Sequence, residues 1–302
     1  MKRVAAFDLG SNTLRSVCLE CGTLRFYHPF ERIVKTADGL VETGRIDDAA
    51  VQRVIAAVKE AKKSTDCTQT HTVAYATEAL RRASNAEAVL RRIEEETGVA
   101  FEVIDGEKEA RLTLLAVRTR LRRLGTDEER FVLVDIGGGS TELICVCGEK
   151  VYTRSFPVGI VTVAQQYGSL AHIRAATETL TAPMRTFIAH CKHTCGNLGS
   201  FVATAGTPTT VAAMKLGQTY ATYDASVVNG TCLYKEELEN YLQRLLAMPL
   251  HQREETVGVG RSELIAAGIV IFEAIYDVVG VNACVVIDDG LREGAALEAC
   301  LK

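Results

Sequence analysis

Tryptophan is absent from this 302-residue chain, and aromatic residues make up only 6% of it. Its arginine clusters are Arg81-Arg82, Arg91-Arg92 and the group Arg118, Arg120, Arg122 and Arg123, and no aromatic platform is interleaved with them. The stacking surface and motifs of a nucleic-acid binder are therefore missing, and most of these arginines read as solvated helix faces. A strong charge of one sign is lacking too. A net charge of −4 does not draw polyanions to the whole molecule, so any affinity for them must be local. Long apolar runs are also missing. The run after Lys2 and Arg3 stops at Asp8, so no secretory leader is expected. The longest uncharged stretch, Thr194 to Met214, is broken by Gly196, Gly199, Gly206 and Pro208 and does not read as a membrane span. A cytoplasmic protein without nucleic-acid or membrane partners is the expectation.

Cysteine is not scarce. Ten are present, and without an export signal they are expected to be free thiols. Cys18-Leu19-Glu20-Cys21 has redox spacing without the helix N-terminus that would activate it. Cys145 and Cys147 alternate along one strand and read as packing residues on one face. His190-Cys191-Lys192-His193-Thr194-Cys195 is the one cluster with ligand-like chemistry. Zinc needs about four convergent ligands, usually with a second paired set, and the sequence shows no such set.

Two nucleotide signatures are absent as well: neither the segment after Asp8 nor that after Asp135 continues as Gly-x-x-x-x-Gly-Lys, and neither opens directly into a helix as a dinucleotide site requires. What is present is one loop written twice, Asp8-Leu9-Gly10-Ser11-Asn12-Thr13 and Asp135-Ile136-Gly137-Gly138-Gly139-Ser140-Thr141. Each follows an apolar strand and precedes another. Glycines let backbone N–H groups turn toward an anion, hydroxyls add donors, and the strand-end Asp can hold a divalent cation. Either loop alone is an ordinary hairpin; the repetition points to phosphate handling.

The surrounding pattern repeats too. Strands are expected at 2–8, 14–20, 23–34, 70–75 and 99–104, with helices at 47–63, 85–97 and 107–124. The order restarts with strands at 130–135, 142–147, 150–156, 201–205 and 283–287, and helices at 161–167, 170–192, 208–216, 235–247, 261–278 and 291–300. A duplicated β-meander followed by βαβ units gives an α/β protein of two domains, residues 1–125 and 126–302, dividing near Gly125 to Glu129. Each domain is a mixed sheet flanked by helices, with ligand expected in the cleft between domains. The last helix, about 290–302, has the option of packing back on the N-terminal domain.

These loops and this order resemble the actin-like (RNase H-like) phosphotransferase superfold, and within it the exopolyphosphatase and guanosine pentaphosphate phosphatase family, in its short two-domain form. The resemblance is carried by Phe7 to Arg15, Gly39-Leu40, Thr43-Gly44-Arg45, Ala76-Thr77-Glu78-Ala79-Leu80-Arg81 and Gly106-Glu107-Lys108-Glu109-Ala110-Arg111-Leu112. It continues through Val134 to Leu143, Ala203 to Thr207, Gly260-Arg261 and Gly290-Leu291-Arg292-Glu293-Gly294. It implies Mg²⁺-dependent release of terminal phosphate from polyphosphate, or of the 5′ γ-phosphate of guanosine pentaphosphate (pppGpp). It leaves a homodimer open. An actin-like ATP-using kinase and a non-catalytic polyphosphate-binding protein are the alternatives of other classes.

Cleaving a phosphoanhydride requires charge neutralisation, a positioned water and a leaving phosphate. Ser11, Asn12, Thr13, Gly138, Gly139, Ser140 and Thr141 suit the first task, and Gly206 and Thr207 read as a third phosphate-facing turn. Asp135 and Glu142 can converge on one Mg²⁺, which needs few carboxylates. Asp8 is either a further ligand or a carboxylate pinning its own loop. Arg81 is shaped for bidentate phosphate binding, or for an ion pair at a helix start. Glu107 and Glu109 are equivalent first-turn acids by helix physics; the resemblance singles out Glu109 as the general base.

Overall fold

The structure is a computed structural model that describes residues 2–65 and 71–302. Thr70, expected to open the fourth strand, lies outside the described residues. The chain divides into two compact units, Met1–Ala116 with Asp289–Lys302, and Val117–Asp288.

In the first unit β1 (Arg3–Leu9), β2 (Thr13–Glu20) and β3 (Arg25–Ile33) make an antiparallel meander. There follow α1 (Leu40–Thr43), α2 (Asp48–Thr65), β4 (His71–Ala76), α3 (Glu78–Arg82), α4 (Ala86–Thr97), β5 (Glu102–Val103) and α5 (Gly106–Leu124). Strand β4 adds parallel to β1 and β5 parallel to β4, giving the order β3-β2-β1-β4-β5. In the second unit β6 (Arg130–Ile136), β7 (Thr141–Cys147) and β8 (Lys150–Phe156) repeat the meander. Helices α6 (Ile160–Tyr167) and α7 (Leu170–Cys195) lead to β9 (Ser200–Thr204), α8 (Gly206–Lys215), α9 (Ala225–Val228), β10 (Cys232–Tyr234), α10 (Lys235–Ala247), α11 (Leu250–Val257), α12 (Ser262–Val279) and β11 (Ala283–Val286). The second sheet runs β10-β11-β9-β6-β7-β8, with β9 parallel to β6 and β11 parallel to β9. Apart from the extra edge strand β10, both sheets share one topology, the mixed arrangement of an actin-like domain. The run of buried residues explains it: Val4 to Phe7 in β1 and Phe131 to Val134 in β6 are buried without interruption, so these central strands are covered on both faces.

The division falls inside α5, after Ala116, rather than at 125 and 126. A helix carries no turn signal, so sequence punctuation pointed to the polar stretch that follows it. The last helix, α13 (Leu291–Leu301), belongs to the first unit. Its Leu291, Ala295, Ala296, Leu297 and Ala299 share a core with Val4, Ala6, Val17, Leu19, Tyr75, Ile104 and Leu112. Lys2 Nζ donates to the Ala299 carbonyl at 2.8 Å, and a disulfide joins Cys21 to Cys300 with Cα atoms 5.4 Å apart. A second disulfide joins Cys147 to Cys195 within the second unit. The expectation of free thiols is corrected for these four residues, because folding brings together cysteines 279 and 48 positions apart. No helix among the described residues is long and apolar enough to cross a membrane.

Helix α13 crosses α5 at Gly294, where a Cβ would stand 1.9 Å from the Leu112 carbonyl oxygen. Gly294→Ala is therefore expected to destabilise the protein by about 1–3 kcal/mol, read as a lower urea midpoint with an unchanged slope.

Candidate active site

The repeated loops are closed in the same way. Gly10 N–H donates to the Thr13 carbonyl at 3.0 Å, and Gly137 N–H to the Ser140 carbonyl at 2.9 Å. In each loop the carbonyl oxygens are then drawn to a second segment. In the first unit the Ser11 oxygen accepts from Ala37 N–H at 2.8 Å, and the Asn12 oxygen accepts from Val34 and Lys35, both at 2.9 Å. In the second unit the N-terminus of α6 does this: Ile160 N–H reaches the Gly137 oxygen at 3.0 Å and Val161 the Gly138 oxygen at 2.8 Å. Orphan N–H groups at a helix start thus find acceptors in the loop. The close approach requires Gly159, whose Cβ would lie 2.3 Å from the Gly138 oxygen. The N–H groups of Ser11, Asn12, Gly138 and Gly139 have no acceptor among the described residues. Backbone donors left over in a glycine turn form an anion-binding concavity.

Side chains around the second loop divide between ligand-facing and structural roles. Asp135 and Glu142 are direct cross-strand partners at the end of β6 and the start of β7, which sets their carboxylates side by side on one face. Glu142 is buried, and its Oε1 accepts from Ser140 Oγ at 2.8 Å and Ser155 Oγ at 2.6 Å. Two carboxylates backed by hydroxyls form a hard-oxygen donor set of the kind magnesium accepts. Thr141 differs from expectation. It is fully buried, and its hydroxyl donates to the Val158 carbonyl at 2.5 Å, so it braces the loop. In the first unit the position facing Asp8 is Arg15, a cation, which is itself paired with Glu31 at 2.8 Å. Asp8 is thus not the counterpart of a two-carboxylate pair.

The third turn is also a mixture. Ala205, between β9 and α8, has φ 73° and ψ −172°, a region that residues with a Cβ rarely occupy. Its carbonyl is gripped by the Thr209 hydroxyl at 2.8 Å and the Thr209 N–H at 3.3 Å, which holds the strained residue in place. Gly206 begins α8, but the Thr207 hydroxyl turns inward against the bare backbone of Gly268. It is fully buried without a hydrogen-bond partner, so the hydroxyl itself does not face out of the turn.

Glu109 and Arg81 come together in the first unit. Asp105 caps α5 by accepting Lys108 N–H at 2.8 Å, and Glu109 follows in the first turn. Arg81 Nη1 donates to Glu109 Oε2 at 2.8 Å and to the Ile104 carbonyl at 2.7 Å, while Nη2 meets Glu78 Oε2 at 3.0 Å. Burial works against the Arg81 charge, but Glu109 and then Glu78 more than offset it and hold its pKa above the ordinary value. Glu107 is exposed, so the structure separates two acids that helix physics could not. The elements carrying these groups follow the carboxyl ends of β1, β4 and β5, the edge where parallel sheets place ligands.

Two functional candidates escaped the sequence. Glu78 shares Arg81 with Glu109. Asp288, at the carboxyl end of β11, is buried and accepts the Tyr223 hydroxyl at 2.5 Å, while its N–H donates to Asn229 Oδ1 at 2.8 Å. The order Ile-Asp-Asp-Gly signals a turn, but nothing local marks Tyr223 or Asn229 as its partners. The remaining arginine clusters are taken up locally: Arg91 pairs with Glu87, Arg92 with Asp48 and Glu96, and Arg122 with Glu128.

Two sheets of this topology, each ending in a donor-rich turn, define a phosphate-handling protein of the actin-like class. A model of the Ppx/GppA phosphatase family matches residues 20–302, and the chain belongs to that family. It is 28% identical to exopolyphosphatase 2 of Mycobacterium tuberculosis over 98% of both chains. It is 29% identical to exopolyphosphatase 1 of Mycobacterium bovis, covering 98% of this chain and 87% of the relative. Among solved structures, a Ppx/GppA family member from Aquifex aeolicus superposes with a TM-score of 0.76 at 30% identity, covering 99% of this chain and 98% of that one. An exopolyphosphatase from Cytophaga hutchinsonii has a TM-score of 0.84 at 21% identity, over 97% and 96% of the two chains, and shares the fold.

Relieving the backbone strain beside the third turn gives a test of its cost. Ala205→Gly is expected to raise stability by about 1 kcal/mol, strain relief being partly offset by glycine entropy. Calorimetry should show a higher Tm.

Proposed function

We propose that this protein is an exopolyphosphatase that hydrolyses terminal phosphoanhydride bonds of inorganic polyphosphate with the help of a divalent cation. The observation that carries the proposal is the pair of loops whose carbonyls are engaged while the N–H groups of Ser11, Asn12, Gly138 and Gly139 have no acceptor among the described residues. They occur in a chain of the Ppx/GppA phosphatase family.

The N–H groups of Gly138 and Gly139 and of Ser11 and Asn12 bind phosphoryl oxygens, and being fixed beforehand they need no reorganisation as charge develops. Asp135 and Glu142 would hold the cation, which supplies charge neutralisation on the phosphate chain. Asp8 is left out of this set because Arg15 occupies the facing position, and a guanidinium opposes a second cation there. Glu109 takes a proton from the attacking water as its oxygen bonds to the terminal phosphorus. The bond from that phosphorus to the bridging oxygen breaks, and orthophosphate leaves. Arg81 holds Glu109 in place and offers its guanidinium to incoming phosphate, an exchange of one anionic partner for another.

With magnesium, phosphate release is expected from polyphosphate, and chelation should abolish it. Release from ATP alone, or from no substrate, would overturn the proposal; release from pentaphosphate alone would move it to the guanosine substrate. Glu109→Gln should lower kcat by about 10²–10⁴-fold while retaining substrate binding.

Arg81→Ala is expected to raise apparent KM and, with the 2.8 Å pairing to Glu109 lost, to lower kcat as well. A steady-state series with both parameters unchanged would separate Arg81 from substrate and base.

A further inference from the structure

Four described residues that carry a Cβ have positive φ: Leu24, His28, Lys35 and Ala205. Leu24 lies in the turn between β2 and β3, and His28 sits where the register between those strands shifts, so both have local reasons. Ala205 belongs to the third turn. Lys35, with φ 49°, is different: its N–H donates to the Asn12 carbonyl at 2.9 Å, which bonds it directly to the first loop. The next two described positions of positive φ are glycine, Gly39 and Gly44. Glycine would adopt this conformation at 35 without steric cost, whereas a residue with a Cβ is strained there. The backbone alone favours glycine, so the lysine is there for its side chain.

The strained residue is held on its other side too. Its carbonyl accepts from Arg53 Nη2 at 3.3 Å and from Asp38 N–H at 3.1 Å, while Arg53 Nε donates to the Val34 carbonyl at 2.8 Å. These bonds fix the Cα from which the side chain starts. Neighbouring cations are already engaged. Arg15 pairs with Glu31, Arg32 with Glu60, and Arg53 lies 3.8 Å from Asp38. Lys35 is exposed, and its ammonium has no hydrogen bond or ion pair among the described residues. The first loop also lacks an acid pair that could recruit a cation, because Arg15 faces Asp8 where Glu142 faces Asp135 in the second. Neutralising phosphate beside the first loop therefore falls to the chain's own cations.

We propose that Lys35 is a substrate-binding residue whose ammonium neutralises phosphates of the polyphosphate chain next to those held by the Ser11 and Asn12 N–H groups. This rests on the reading of the two loops as a polyphosphate site. With its Cα one hydrogen bond from Asn12, a four-carbon stem can bring the charge alongside the loop. An ammonium suits the task. As a point charge on a flexible stem it follows a chain of equivalent phosphates without the fixed geometry of a guanidinium. Lys35 binds and takes no part in proton transfer.

The test is equilibrium binding of inorganic polyphosphate to the full-length protein, with a chelator present to stop turnover, over a series of salt concentrations. Lys35→Gly keeps the left-handed backbone and removes only the side chain, so its urea midpoint should stay close to that of the wild type. It should weaken binding by about fivefold at low salt. It should also flatten the plot of log affinity against log salt by about one in slope, which a purely structural change would not do. Lys35→Arg should restore the slope and most of the affinity. Unchanged affinity and slope in Lys35→Gly, with wild-type protein binding polyphosphate, would overturn the proposal and leave the reading of the loops standing. Weaker binding with an unchanged slope would mark a structural effect and overturn it as well. Wild-type protein that binds no polyphosphate would overturn both the proposal and the reading beneath it.

Discussion

Carbonyl groups bonded away from a turn leave its N–H groups for something else, and the chemistry assigned to this protein depends on that polarity. In the second unit the donor is the start of α6, which needs acceptors for its first N–H groups and finds them at Gly137 and Gly138. In the first unit the segment from Val34 to Ala37 does the same for Ser11 and Asn12 without a helix. Different secondary structures reach one electrostatic result. Gly159 permits the closer of the two contacts by bringing no Cβ to it.

The duplicated frame carries unequal chemistry. Where β6 and β7 set Asp135 against Glu142, the equivalent strands β1 and β2 set Asp8 against Arg15. One pair concentrates negative charge and suits a cation; the other mixes signs. The first unit instead gathers its acids around Arg81, with Glu78 and Glu109 sharing one guanidinium at salt-bridge distance. A partly buried guanidinium held by two carboxylates stays charged, and it leaves one net negative charge. The two units thus arrange their carboxylates differently, as a facing acid pair in one and around a guanidinium in the other.

Helix α13 shows how far the unit boundary departs from chain order. Residues 289–302 complete a core begun by Val4, Ala6, Val17 and Leu19, and Cys300 is joined to Cys21. The first unit is therefore built from both ends of the chain, and α13 depends on its close approach to the Leu112 carbonyl at Gly294. Constraints of this kind are geometric. A methyl group at that position has nowhere to go, whatever its hydrophobicity.

Periodicity and glycine spacing were sufficient for the elements whose signals are local. Lys150–Phe156 and Lys235–Ala247 begin and end where alternation and helical spacing place them, and both loops were legible because their residue types recur in order. The fifth strand shrank to Glu102–Val103, since its pairing with β4 sets its length rather than its own apolar run. Thr141 reads as part of a phosphate-holding loop and Thr207 as part of a phosphate-facing turn, and folding turned both hydroxyls inward, because a hydroxyl's surroundings are decided by what packs beside it. The strain at Ala205, the pairing of Arg81 with Glu109, the network at Asp288 and the bridging of Cys147 with Cys195 have no local signature at all. The sequence by itself determined the class of fold, its repetition and the two glycine-bearing loops, because those are written within a few neighbouring residues. Which acid meets the guanidinium, which hydroxyl faces inward and which thiols touch were decided only by tertiary structure, since each depends on residues tens to hundreds of positions apart being brought within a few ångströms.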